Sequence, residues 1–196
     1  KFLNEVALKW NIKKLKNLKL VFNSENYCVL CILASEFFFD TCSIILKVLQ
    51  ESENESFYKI ILFQDNKMNN FLHYLAMNLT NDEKNLLEIF ERIENQKMFE
   101  LFSAKNDEGS TFLHLFVQNE NNQAIFQSVC NVIEHDFSRV QRKEIFQANN
   151  HKGRTAFYES LQFSNKANYF FKLMDDLFNH DEQKEIFYAH RMVSNG

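Results

Sequence analysis

The chain has 196 residues, 22 basic against 26 acidic side chains and a net charge of −4. A surface this close to neutral carries no electrostatic footprint for nucleic acid, and no apolar run reaches the roughly 18 residues of a membrane span. Hydrophobic residues make up 45% of the chain, enough for a core, and the aromatics are mostly phenylalanine, which favours packing over polar recognition.

In chain order, Phe2–Trp10 and Ile12–Phe22 read as amphipathic helices, the second carrying Lys13, Lys14, Lys16 and Lys19. Such a basic helix can lie on a membrane surface or meet an acidic partner. The plainer reading, the solvated face of one helix in an array, is preferred because Gln141–Phe146 and Glu182–Phe187 are charged copies of it. Cys28-Val29-Leu30-Cys31 then opens an inner helix, with an outer helix at Thr41–Gln50 and a short one at Phe57–Phe63. The same order recurs three times. The inner helices are Asn70–Asn78, Thr111–Asn119 and Thr155–Gln162; the outer ones are Asp82–Ile93, Gln123–Glu134 and Ala167–Phe178. The short ones are Lys97–Ser103, Arg139–Phe146 and Glu182–Tyr188. Outer-helix apolar residues such as Leu86, Leu87, Phe90 and Ile93 fall at helical spacing, and Glu88 and Arg92 read as an i,i+4 ion pair.

Glycine supplies the signal that sets the register. The three glycines, Gly109, Gly153 and Gly196, are spaced 44 and 43 residues apart. Glycine takes positive φ without steric cost, so so scarce a residue at one interval marks a repeated turn. Thr111 and Thr155 follow two residues later as helix caps. Met68 stands at the glycine position of the earlier copy, Asp65–His73, and Asn26 at that of the first. Paired apolar residues close each short helix: Val21-Phe22, Leu62-Phe63, Leu101-Phe102, Ile145-Phe146 and Ile186-Phe187. These are expected to plug it against its neighbours.

The stretch Gly109-Ser110-Thr111-Phe112-Leu113-His114, with Leu72, His73 and Ala76 in the earlier copy, resembles the ankyrin repeat, whose signature is Thr-Pro-Leu-His-x-Ala after a β-turn. The resemblance implies an all-α solenoid of ankyrin-like repeats at about 23–63, 64–102, 103–146 and 147–187. A partial unit lies at 1–22 and the start of another at 188–196, as in a fragment of a longer protein. The period of 41 to 44 exceeds about 33, and the difference is accounted for by the extra short helix in each unit. An armadillo- or HEAT-like array is the alternative by period. A β-turn before every inner helix decides between them.

The chemistry-bearing residues are read as structural. Cys28, Cys31 and Cys42 lack a fourth zinc ligand at a metal-like spacing, and core thiols are ordinary. Through the resemblance, His73 and His114 tie their own turn to the next. No phosphate loop, HExxH or nucleophile elbow is present. The expectation is therefore a non-catalytic scaffold with no metal or cofactor. It would be intracellular and cytoplasmic, and would bind a protein rather than nucleic acid or membrane. The alternative is the targeting module of a larger effector or toxin from an intracellular symbiont, parasite or virus, motivated by Asn-, Lys-, Phe- and Ile-rich composition. In ankyrin-like proteins turn tips and inner-helix faces make contacts. Those positions are Lys67, Asn69, Glu108, Ser110, Lys152 and Arg154 at the tips, and Tyr74, Met77, Leu115, Gln118, Glu159 and Gln162 on the helices.

Overall fold

The computed structural model describes residues 29–36, 39–50, 55–79, 83–120 and 125–189. The expectations for Phe2–Trp10, Ile12–Phe22, Asn26 and 190–196 lie outside the described residues. Among those described, the fold is all-α, with twelve helices and no strand. The first three are α1 (Val29–Ser35), α2 (Phe39–Gln50) and α3 (Glu55–Ile61); the next three are α4 (Phe71–Asn78), α5 (Glu83–Phe90) and α6 (Asn95–Ser103). Then come α7 (Phe112–Gln118), α8 (Phe126–Asp136) and α9 (Arg139–Gln147), followed by α10 (Ala156–Ser160), α11 (Ser164–Leu177) and α12 (His180–Ala189). No helix is long and apolar enough to cross a membrane among the described residues.

Packing follows sequence position. The inner helices α1, α4, α7 and α10 pack in succession, as do the short helices α6, α9 and α12. In the outer row α2 packs on α5 and α8 on α11. Each inner helix is only five to eight residues long, too short to persist alone in water, so tertiary contact must stabilise it. That contact is extensive: residues 71–76 and 112–117 are buried on every side. Such all-round burial is expected of a helix enclosed within a core rather than laid upon one.

Phenylalanine supplies much of the filling. Phe102, which closes α6, meets Phe112 at 4.6 Å and Phe137 at 5.2 Å between ring centroids. Phe146, which closes α9, meets Phe170 at 5.7 Å and Phe178 at 5.4 Å. The first pair is tilted and the other three are edge-on, and edge-on pairs add about 0.5–1.5 kcal/mol beyond area burial. Leu101-Phe102 and Ile145-Phe146 are thus the buried plugs that the sequence suggests. The earlier copy slips in register. There α3 ends at Ile61, so Ile60 and Ile61 are buried while Leu62 and Phe63, past the helix end, are half-covered.

The Glu88–Arg92 pair does not form. Glu88 instead lies 3.8 Å from Lys84 and accepts from the Ser43 hydroxyl at 3.1 Å. The helix stops at Phe90, so Arg92 is off the i,i+4 row, and its Nε is buried without a hydrogen-bond partner.

Candidate functional site

Three turns precede α4, α7 and α10, and they share one set of bonds. In each, a buried side-chain oxygen accepts from the backbone N–H groups two and four residues on. Asp65 Oδ1 accepts from Lys67 and Asn69 at 2.8 and 2.9 Å. Asn106 Oδ1 accepts from Glu108 and Ser110 at 3.0 and 2.9 Å, and Asn150 Oδ1 from Lys152 and Arg154 at 3.0 and 3.1 Å. Asp and Asn close such turns because the side chain replaces a backbone acceptor. Two backbone bonds complete each loop: Asn106, for example, donates to Ser110 and accepts from Gly109, both at 2.9 Å.

The fourth residue of each turn is left-handed: φ is +58° at Met68, +73° at Gly109 and +69° at Gly153. Methionine pays a steric penalty that glycine avoids. At Gly109 there is a second reason for glycine. An added Cβ would lie 2.6 Å from His151 Cδ2 and 2.8 Å from the His151 backbone nitrogen.

The turns are joined edge to edge. The Asp107 N–H donates to the Lys67 carbonyl and that of His151 to the Glu108 carbonyl, both at 2.9 Å. Side chains reinforce the seam. Gln64 Nε2 donates to Met68 and Lys105 carbonyls, and Lys105 Nζ to the Asn149 carbonyl.

His73 and His114 carry the longer link, and both are fully buried. His73 Nε2 donates to the Ser110 carbonyl at 3.0 Å, and His114 Nε2 to the Arg154 carbonyl at 2.9 Å. A carbonyl accepts only, so each ring is the Nε2–H tautomer. Nδ1 of His114 then accepts from the Thr111 N–H at 3.2 Å, while that of His73 lies 3.1 Å from the Asn70 N–H and 2.7 Å from Asn70 Oδ1. The Thr111 hydroxyl, 2.9 Å away, donates to His114 Nδ1 as well. Histidine here takes the place of the Glu or Gln of a capping box, and its other nitrogen reaches the next turn. Burial pushes His73 down to about 4 and lowers His114 too, against the partial opposing pull of the bonded carbonyls. The arrangement is one of neutral imidazoles used as two-sided connectors.

A further contact returns from each of α4 and α10 to its own turn. The Tyr74 hydroxyl donates to Asp65 Oδ2, and Asn150 Nδ2 donates to Glu159 Oε1 at 3.1 Å. A turn residue with a spare acceptor meets a donor; one with a spare donor meets an acceptor. Arg154 adds an ion pair to Glu159 at 3.7 Å and lies over the Tyr158 ring. In the middle turn, where Leu115 offers neither, Asn106 Nδ2 donates to Asn69 Oδ1 at 3.1 Å.

These contacts divide the residues expected to meet a partner. Lys67, Met77, Glu108, Gln118, Lys152 and Gln162 are exposed, and Arg154 is half-buried. Asn69, Tyr74, Ser110, Leu115 and Glu159 are buried. They are covered because turn packs on turn, and Tyr74 and Glu159 point back to their own loops. Two connectors had no sequence signal. Asn119 Nδ2 donates to the carbonyls of Ala76 and Leu79 at 2.9 and 2.8 Å, closing the end of α4. Buried Lys166 donates to the carbonyls of Val117 and Asn119, closing the end of α7, and burial pushes it down to about 8. In both cases the carbonyl end of one inner helix is satisfied by a side chain 40 to 49 residues further along the chain.

No family model matches this chain, and no curated protein or solved structure matches it either.

Proposed function

We propose that the chain is a solenoid of ankyrin-like units, each enlarged by a short third helix, and that it acts as a non-catalytic protein-binding scaffold. The observation that carries this reading is the repeated histidine bridge. The Nε2 of His73 reaches the turn before α7, and that of His114 the turn before α10, with matching bonds at both ends. The bridge supports ankyrin-like over armadillo- or HEAT-like units because it requires a tight turn before every inner helix. Stacked units of this kind bind partners through an extended surface made by many repeats. The exposed tips Lys67, Glu108 and Lys152, with Met77 and Gln118 on the inner helices, form the docking face.

The reading is tested by affinity capture from a lysate on immobilised protein, compared with a variant in which Lys67, Glu108 and Lys152 are all alanine. These side chains are exposed, so the variant should keep its helical content by circular dichroism. The scaffold reading expects a partner that the wild type retains and the variant loses. Retention by both would move binding off the tips. Catalytic turnover abolished by a single His or Cys substitution would sink the non-catalytic reading.

A further inference from the structure

Among the described residues the outer row has an opening. α2 packs on α5 and α8 on α11, but no comparable packing joins α5 to α8. Between them runs a groove of about 530 Å³. Its lining includes half-buried Leu87 and Val132 over the buried side chains of Phe90 and Ile93, with Ser128, Asn131 and His135 beside them. Glu91 and Asp136, both exposed, stand along it, and no lysine or arginine lines it among the described residues. Both carboxylates lie where α5 and α8 end, so the partial negative charge of two helix C-termini adds to theirs. At one end Asn95 Nδ2 donates to the Asp136 carbonyl at 3.4 Å, joining the start of α6 to the end of α8.

We propose that this groove docks a basic amphipathic helix of a partner protein. An apolar trough between two helices takes the apolar face of a third, as in other helix-in-groove complexes. The rim decides the sign of the partner: two carboxylates and two helix C-termini favour lysine or arginine flanking the apolar stripe and repel an acidic helix. Its size lies in the range of pockets that hold a ligand's anchoring side chains. The inference rests on the scaffold reading, since both make the chain a binding module. None of the turn-tip residues lines the groove, so the two fail separately.

The probe is a fluorescein-labelled Leu/Lys amphipathic model helix, with a Leu/Glu helix of the same pattern as its counterpart, read by fluorescence anisotropy. The Leu/Lys helix should bind saturably and the Leu/Glu helix should not. Reversing the rim with Glu91→Lys and Asp136→Lys should weaken binding tenfold or more. Val132→Glu, which puts charge on the wall, should weaken it similarly. The control is Asp107→Lys with Asp176→Lys, which changes net charge equally at exposed residues that do not line the groove and should leave affinity within twofold. Helical content of each variant is checked by circular dichroism. No saturation up to about 1 mM peptide overturns the proposal, as does equal binding of the Leu/Glu helix. So does equal weakening by the charge control, which would mark attraction to net charge alone. If the Leu/Lys helix fails while partner capture at the tips persists, the groove proposal falls and the scaffold reading stands.

Discussion

The turn that starts at Asp65 and the one that starts at Asn106 close the same loop with different residues at the left-handed position. Met68 sits at φ +58°, about 47% exposed, while Gly109 sits at +73° under His151. The side-chain oxygen makes the same two bonds in both. The difference teaches that the Asp or Asn oxygen and the backbone bonds define this turn. Glycine only lowers its cost, except where another strand of chain lies against it. Gly109 is required twice, by φ and by the neighbouring turn. Met68 is tolerated because its side chain points into open surroundings.

The comparison breaks most severely at Gly109. Gly109→Ala combines unfavourable φ with a contact to the His151 backbone, which cannot swing away as a side-chain end could. It should destabilise by roughly 2–4 kcal/mol, read as a shift in urea midpoint.

Acid tests the histidine bridges next. The folded pKa of His73, about 4, lies below the unfolded value of 6.5. Between those limits the unfolded chain binds the extra proton. The stability due to the neutral ring is therefore intact above pH 6.5 and lost as pH falls toward 4. The full loss for His73 is about 3 kcal/mol, and His114 acts in the same direction. His73→Gln should be less stable than wild type at pH 7.5, and the gap should narrow by pH 4.5 in parallel urea melts.

The return contacts can be broken and then mended. Asn150→Asp sets a carboxylate against Glu159, which now accepts from Asn150 Nδ2. A loss of about 2 kcal/mol is expected. Adding Glu159→Gln restores a donor and should recover most of it, measured as a double-mutant cycle. The Asp65 turn, whose partner is already the Tyr74 hydroxyl donor, should show the opposite preference.

The smallest change sharpens the comparison. Met68→Gly removes the left-handed penalty but loosens the unfolded chain, for a net gain of about 0.5–1 kcal/mol in thermal or urea unfolding. A loss there would mean that the Met68 side chain contributes packing worth more than its backbone strain.

Much of the site was legible before any coordinate. Gly109 and Gly153 marked turns because so few residues tolerate their φ, and Met68 was placed correctly by alignment with them. The resemblance to ankyrin repeats implies that His73 and His114 connect turn to turn, and each bonds the following turn. Other features were not legible. Asn69, Tyr74, Ser110, Leu115 and Glu159 occupy positions that an isolated turn and helix would expose, yet the next turn and the return contact cover them. Lys166 reads as an ordinary charged helix residue. It is buried because the carbonyl ends beyond α7 lie beside it.

The sequence alone determined the helices, their order and the chemistry of each turn. Those depend on hydrophobic periodicity, capping residues and φ preference, all local in the chain. Tertiary structure alone decided which polar side chains became connectors, where the outer row parted between α5 and α8, and which residues remained open to a partner. Each depends on what lies about forty residues away in the chain and a few ångströms away in space, and local pattern carries no record of that distance.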